Sequence, residues 1–214
     1  SVVSHAKTLG YVPYSKTSST AVINLTVETN SATIDTVTLP KGFVLISSPI
    51  DNQSYNFVVM GDTTVTKSGT KYFFEGLEIK EGEFVSYSFT QNDGENPKAI
   101  FEIPDANIDT STITVSVRPS SSNSQISIYN KVTDVLDVTN SSEVYFLQES
   151  RGGKYKIYFG DGVIGRRIND GSIINVTYLS TNGSTANKAS SFTVSAAIGG
   201  YTNITVDTVS VAGG

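Results

Sequence analysis

Short runs in which apolar and polar residues alternate cover most of this 214-residue chain. In the run from residue 20 to 28, Ile23, Leu25 and Val27 fall on one face of an extended strand, and polar residues separate them. Similar runs recur roughly every 8–15 residues, with Gly, Pro, Asn and Asp between them. This spacing predicts a mainly β fold of sandwich or barrel type.

The predicted strands fall into two groups. The polar stretch QNDGENP at 91–97 is the best candidate for a boundary between them. We therefore expect a lead-in segment at 1–19, a first β domain at 20–97 and a second β domain at 98–214, both antiparallel. The sequence leaves open whether residues after about 184 return to the first domain.

The first ten residues are the one stretch that predicts a helix. Their apolar residues fall near the 3.6-residue spacing of a helix, and Gly10 suits a left-handed C-terminal cap. The later stretch VTDVLDV is too short and too rich in β-branched residues to form a helix. The predicted fold class is thus two antiparallel β-sandwich or barrel-like domains preceded by one short helix.

Composition narrows the possible functions. The formal net charge is −5 and the sequence pI is about 4.9, which argues against a nucleic-acid-binding protein. The chain has no cysteine, so it has neither a disulfide framework nor a thiolate metal site. No run approaches ~18 apolar residues, so we expect no membrane insertion.

The segment GDGVIG at 160–165 matches the G-x-G-x-x-G spacing of dinucleotide-binding loops. In those proteins the third glycine begins a helix, and an acidic residue lies about 20 residues further on. Here the third glycine is followed by RRINDG and another predicted strand, and the expected acidic position falls in STNGST. The segment also lacks the Lys-Ser/Thr of a phosphate-binding P-loop. We therefore expect no nucleotide cofactor.

A structural turn explains the same glycines better. A Gly-Asp-Gly sequence after the strand KYKIYF can reverse the chain, since glycine accepts positive φ and Asp can accept hydrogen bonds from downstream N–H groups. The third glycine permits a further bend or a close backbone approach, and Val163 and Ile164 are expected to return to the core. The residues predicted to form this structural turn are Gly160, Asp161, Gly162 and Gly165.

Other candidate chemistry is sparse. His5 is the only histidine, so a multi-histidine metal site is impossible. The stretch EGLEIKEGE is expected to be a solvated turn rather than a carboxylate pair for glycoside hydrolysis; its glutamates are Glu75, Glu78, Glu81 and Glu83. The stretch 92–95 lacks the twelve-residue loop of an EF-hand and reads as a polar turn. We expect no catalytic, metal-binding or cofactor-binding residues.

Three elements in residues 141–183 resemble the J-like baseplate wedge proteins of contractile-tailed bacteriophages. The first is an S-x-V-Y-F-L-x-E strand at Ser142–Glu149, and the second is K-Y-x-I-x-F-G-D-G-x-x-G at Lys154–Gly165. The third is a strand ending in Y-x-x-T-x-G at Tyr178–Gly183. The resemblance extends more loosely over most of the chain. One departure is Lys188, where the family's Ala-Asn-Gly-Ala run has Gly.

This resemblance implies a middle fragment of a structural subunit. Family members pair with themselves and with other wedge proteins in a ring around the tail hub. The ring rearranges on host attachment and triggers sheath contraction. The implied location is the virion tail baseplate, assembled in the bacterial cytoplasm. No enzymatic residue is carried over, because the family motif is architectural.

The residues leave two alternatives open. A carbohydrate-binding or adhesin module of a tail fibre would expose clustered aromatic side chains beside a carboxylate or calcium site. A glycosidase would need two carboxylates roughly 5–10 Å apart in a cleft.

Overall fold

The structure, a computed structural model, describes residues 15–31 and 33–214. This part of the chain is mainly β, as predicted, and contains no helix longer than a short 3-10 turn. The predicted N-terminal helix and His5 lie outside the described residues. The strands are β1 Thr20–Glu28, β2 Thr36–Leu39, β3 Val44–Ser47, β4 Asn56–Val59, β5 Thr63–Thr66, β6 Lys71–Glu81, β7 Glu83–Thr90, β8 Ile100–Ile103, β9 Ile108–Arg118, β10 Ser127–Lys131, β11 Val144–Glu149, β12 Tyr155–Phe159, β13 Ile173–Ser180, β14 Phe192–Val194 and β15 Ile204–Ala212.

The described strands form two large, nearly closed barrel-like sheets and one small sheet. The six-stranded sheet has the order β14-β3-β4-β6-β1-β15, and the seven-stranded sheet has the order β7-β13-β9-β10-β11-β12-β8. Strands β2 and β5 form a separate two-stranded ribbon. Pairing is antiparallel wherever a register is established, except that β10 and β11 pair in parallel over two residues.

The chain divides into two compact units. One unit, here called the inserted unit, contains Val85–Leu179. The other, here called the discontinuous unit, combines Lys16–Phe84 with Ser180–Gly214. The sequence predicts a boundary at residue 97 and leaves open a return after about 184, whereas the chain passes from one unit to the other at 84/85 and 179/180.

The discontinuous unit has its own apolar core. Ile23, Leu25 and Val27 of β1 are buried on one face, as the alternation predicts. They pack with buried residues of β6, including Phe74 and Ile79. Burial of this face drives β1 and β6 together, since each fully buried large side chain contributes about 1.5–3 kcal/mol.

The inserted unit has a second core that is rich in aromatic rings. Val85, Tyr87 and Phe89 of β7 point to this core, as predicted. Phe89 lies against Phe101, with ring centroids 5.1 Å apart. The aromatic residues therefore serve mainly to fill the interior, where ring pairs add stability beyond their buried area.

Strand β10 buries the face that carries Tyr129 and exposes the face that carries Ile128. Tyr129 is buried and meets Phe159 edge to face at 5.6 Å, whereas Ile126 and Ile128 are exposed. Because successive side chains of a strand point to opposite faces, burying Tyr129 leaves Ile128 outside, and Ile126, which precedes the strand, is exposed as well. Alternation alone does not reveal which of two apolar sets is chosen.

A smaller apolar cluster, here called the satellite cluster, lies beside the second core. Its buried members are Val132, Phe146 and Tyr158, and the rings of Phe146 and Tyr158 stack at 5.0 Å. The partly buried residues that pack against it are Ile100, Val135, Val138, Val144 and Ile164. This cluster supports the loop that follows β12.

The prediction of a solvated turn over EGLEIKEGE is wrong. Strand β6 continues to Glu81, and β7 begins at Glu83, so the chain turns at Gly82 alone. Leu77 and Ile79 are buried on the strand's inner face. The apolar residues between the glutamates thus continue the alternation of β6. Their burial favours a strand more than the charge of the stretch favours a solvated turn.

Candidate functional site

The predicted turn residues lie in the loop that follows β12. Gly162 has φ +86° and Gly165 has φ +83°, both in the left-handed region that favours glycine. The backbone of Gly160 lies directly against that of Gly165: a Cβ atom added at Gly160 would be 2.1 Å from the Gly165 carbonyl carbon. The structure therefore brings the outer two glycines together, and only the smallest residue fits at Gly160.

Asp161 stabilises the loop through hydrogen bonds to the loop's own backbone. Its Oδ1 atom accepts hydrogen bonds from the backbone N–H groups of Val163 and Ile164, both at 2.9 Å. These two bonds, first that from Ile164 and then that from Val163, lower the pKa of the Asp161 carboxyl below its usual value. The side chain is exposed, so its role is local and conformational.

Backbone hydrogen bonds connect the loop to the segment before β11. Within the loop, the Gly162 N–H donates to the Gly165 carbonyl at 3.0 Å. The Gly165 N–H donates to the Thr139 carbonyl, and the Arg166 N–H donates to the Ser142 carbonyl, both at 2.9 Å. These bonds satisfy the polar groups that glycine-rich backbone exposes, so the loop has a defined shape.

Two ion pairs lie at the end of the loop. Arg166 pairs with Glu143 at 2.7 Å, and Arg167 pairs with Asp93 at 3.0 Å. All four side chains are substantially exposed, so each pair contributes little to stability. Because both guanidinium groups are paired with carboxylates, neither is an unpaired cation that could face a phosphate.

The expectation that Val163 returns to the core is wrong. Its side chain is 74% exposed, whereas Ile164 is partly buried against the satellite cluster. The Asp161 turn is too tight to bury both residues, because successive side chains at its apex point in different directions. Only Ile164 reaches the cluster.

The geometry of this loop differs from that of a dinucleotide site. After Gly165 the chain forms a bridge and a turn and then enters β13, without a helix whose N-terminus could face a pyrophosphate. The pocket beside the loop, which Pro97, Tyr158 and Gly160 help to line, has a volume of about 200 Å³. Small-molecule sites usually offer about 300–1,000 Å³.

We expect Gly162→Val to destabilise the inserted unit by about 2 kcal/mol, because a β-branched residue is strained at φ +86°. The nearest atom to an added Cβ is 3.9 Å away, so the cost comes from the backbone rather than from a clash. Gly162→Asn is the matched control, since Asn tolerates the left-handed region. Urea unfolding of the three proteins measures the difference; equal midpoints would contradict the turn assignment.

The Asp161 carboxylate should contribute pH-dependent stability. Its pKa is lower in the folded chain than in the unfolded chain. Its contribution is therefore fully present above the unfolded value, about 4, and is lost as pH falls through the lower folded value. We expect wild type to exceed Asp161→Asn in stability at pH 7 and the difference to shrink below about pH 4. A difference that stays constant from pH 7 to pH 2 would rule out this linkage.

No metal centre is evident in the described part of the chain, where no group of three or more metal-ligating side chains comes together. Asp93 is instead bound to Arg167 and accepts a hydrogen bond from the Gln91 amide at 2.8 Å. Residues 92–95 form part of a hydrogen-bonded turn, in which the Asn96 N–H donates to the Asn92 carbonyl at 2.7 Å. In the same described ranges, none of the helical segments has the length and apolarity to cross a membrane.

Glu81, which was predicted to lie in a solvated turn, is instead a buried residue of structural importance. Its side chain is only 1% exposed. The carboxylate accepts three hydrogen bonds: from the Thr181 hydroxyl at 2.6 Å, the Asn182 backbone N–H at 3.0 Å and the Asn182 side-chain amide at 2.7 Å. Its own N–H donates to the Ser19 carbonyl at 2.8 Å. A buried carboxylate with this many donors fastens together distant segments of the discontinuous unit.

One pair of carboxylates does share a concavity. Glu102 and Glu149 border an open surface depression of about 520 Å³, together with Lys154 and two other cationic residues. Both glutamates are exposed, and the Glu102 carboxylate accepts a hydrogen bond from the Ser150 hydroxyl at 2.6 Å. A general acid in glycoside hydrolysis needs a less polar setting than this, and no aromatic ring lines the depression.

Aromatic side chains are scarce on the described surface. Phe73 is the one exposed aromatic residue in the described ranges, with 43% exposure. The remaining Tyr and Phe residues there are buried or partly buried. The clustered exposed rings expected of a carbohydrate-recognition surface are therefore not found in this part of the chain.

A comparison with curated proteins gives an informative similarity. The chain is 27% identical to the baseplate wedge protein gp6 of Enterobacteria phage T4 over an alignment of 231 positions, which covers 96% of this chain. The same alignment covers 32% of the relative, so the chain spans about a third of that protein's length. No family model matches the chain. The similarity confirms the resemblance to phage baseplate wedge proteins indicated by residues 141–183.

Proposed function

We propose that this chain is a structural segment of a baseplate wedge subunit in a contractile phage tail. The observation that carries the proposal is the similarity to the phage T4 wedge protein over nearly the whole chain. The architecture supports it, because each of the two compact β units suits a structural building block. The chain has no catalytic role in this proposal.

The chain acts by offering surfaces to neighbouring subunits. In the proposed assembly it pairs with a second copy and with other wedge proteins in a ring around the tail hub. Rearrangement of that ring on host attachment releases the sheath to contract. Rigid β units can take part through motion at the segments between them, without refolding.

The proposed location is the tail baseplate of the virion, after assembly in the bacterial cytoplasm. The lack of cysteine supports this, since a subunit assembled in a reducing compartment gains nothing from disulfides. Neither a nucleic acid nor a membrane is needed as a partner.

Assembly of the full-length protein with the other wedge subunits of the same phage tests the function. The proteins are co-expressed, purified through a tag on one partner and measured by light scattering and electron microscopy. We expect a stable complex in which the full-length protein is stoichiometric. A full-length protein that stays free of every wedge subunit but binds glycans on an array would contradict the structural role and favour a carbohydrate-binding module.

A further inference from the structure

Two of the most exposed apolar side chains in the inserted unit lie beside the satellite cluster. Leu136 is 91% exposed and Val163 is 74% exposed. Each lies next in sequence to a residue that packs on that cluster, Val135 and Ile164 respectively. The hydrogen bond from the Gly165 N–H to the Thr139 carbonyl, at 2.9 Å, joins the two segments. We name Leu136, Val163 and the intervening loop surface the tip surface.

Both exposed residues are held by preorganised backbone. Asp161 accepts the Val163 N–H, as described above, and Asp134 accepts the Leu136 N–H at 2.9 Å. A 3-10 turn at Val135–Asp137 ends with a hydrogen bond from the Val138 N–H to the Val135 carbonyl at 3.1 Å. A backbone that is already fixed loses little conformational entropy when a partner covers its side chains, which favours binding.

Three carboxylates lie within two residues of these side chains in the sequence. Asp134, Asp137 and Asp161 are exposed carboxylates that take part in no ion pair within the described residues. The two arginines that follow the loop are already engaged by Glu143 and Asp93. Cationic side chains on a partner would therefore complement the aspartates of the tip surface.

We propose that the tip surface docks into a neighbouring wedge subunit that presents an apolar recess bordered by Lys or Arg side chains. Leu136 and Val163 fill the recess, and the three aspartates face the cations. The inference rests on the proposed function for the class of partner and adds which face is used. It also gives the GDGVIG loop a purpose beyond the turn, because that loop is what holds Val163 outward.

The test uses full-length protein and each purified wedge subunit of the same phage, with binding measured by analytical ultracentrifugation. The double variant Leu136→Ser/Val163→Ser removes the apolar contacts, and Asp137→Lys reverses one charge. Val209→Ser is the matched control, because Val209 is an exposed valine of β15, in the discontinuous unit, with 59% exposure. Thermal unfolding checks that all variants keep the wild-type midpoint, as expected for exposed positions.

The proposal expects at least about tenfold weaker binding to one wedge subunit for both the double variant and Asp137→Lys, with Val209→Ser unchanged. Wild-type binding to that subunit should also weaken as salt rises, because exposed charges are screened. Wild-type affinity in the double variant, or an equal loss in Val209→Ser, would overturn the tip surface and leave the proposed function intact. A wild-type protein that binds none of the subunits would overturn the proposed function, and the tip surface with it.

Discussion

Replacing Gly160 with alanine is expected to destabilise the inserted unit by about 3 kcal/mol or more, because the new methyl group overlaps the backbone of Gly165 at the other end of the loop. Its carbon would lie 2.1 Å from the carbonyl carbon and 2.2 Å from the carbonyl oxygen of Gly165. Ordinary carbon contacts are about 3.5–4.0 Å. Gly165 cannot move away easily, since its N–H is bonded to Thr139 and its carbonyl accepts from Gly162.

Urea unfolding followed by circular dichroism measures this effect. Gly61→Ala is the control: an added Cβ there meets no atom within 4 Å, and its φ is not positive. We expect the control to stay within about 0.5 kcal/mol of wild type. If Gly160→Ala and Gly61→Ala unfold at the same urea concentration, the close approach of Gly160 and Gly165 does not exist in solution.

Replacing Glu81 with alanine is expected to cost the discontinuous unit about 3 kcal/mol. The substitution leaves the buried Thr181 hydroxyl and two partly buried donors of Asn182 without their acceptor. Each buried donor without a partner costs about 1–3 kcal/mol, although some can rotate or bind water. The effect should therefore be much larger than that of a typical charged surface residue.

Glu83→Ala provides the matched control, because Glu83 is an exposed glutamate two residues further along. It should change the unfolding free energy by less than about 0.5 kcal/mol. Glu81→Gln should lie between the two alanine variants, since one oxygen still accepts while the new amide N–H₂ faces donors. Similar stabilities for Glu81→Ala and Glu83→Ala would show that the three hydrogen bonds contribute nothing.

Strand positions could be predicted from the sequence because they depend on local side-chain alternation. The faces of β1 and β7 follow directly from the order of their apolar residues. Strand β10 shows the limit of this reasoning. Both of its alternating sets contain apolar residues, so the choice between Tyr129 and Ile128 depended on the rings already packed around Phe159.

The conformation of the loop after β12 could be predicted only in part. The absence of a helix after Gly165 could be predicted from the residues that follow it, because they lead directly into another strand. The outward direction of Val163 was not accessible, because it depends on how tightly Asp161 draws in the next two N–H groups. The sequence predicts a turn, but it does not predict which side chain the turn exposes.

By itself the sequence determined the mainly β class and the likeness to phage wedge proteins, because side-chain alternation and short motifs act over a few positions. Only the tertiary structure decided that Glu81 is buried and that Gly160 lies against Gly165. Glu81 meets Thr181 across 100 residues of chain, and no local pattern records such a meeting. Strand pairing brings these residues together, and their burial then increases how much their hydrogen bonds and contacts contribute to stability.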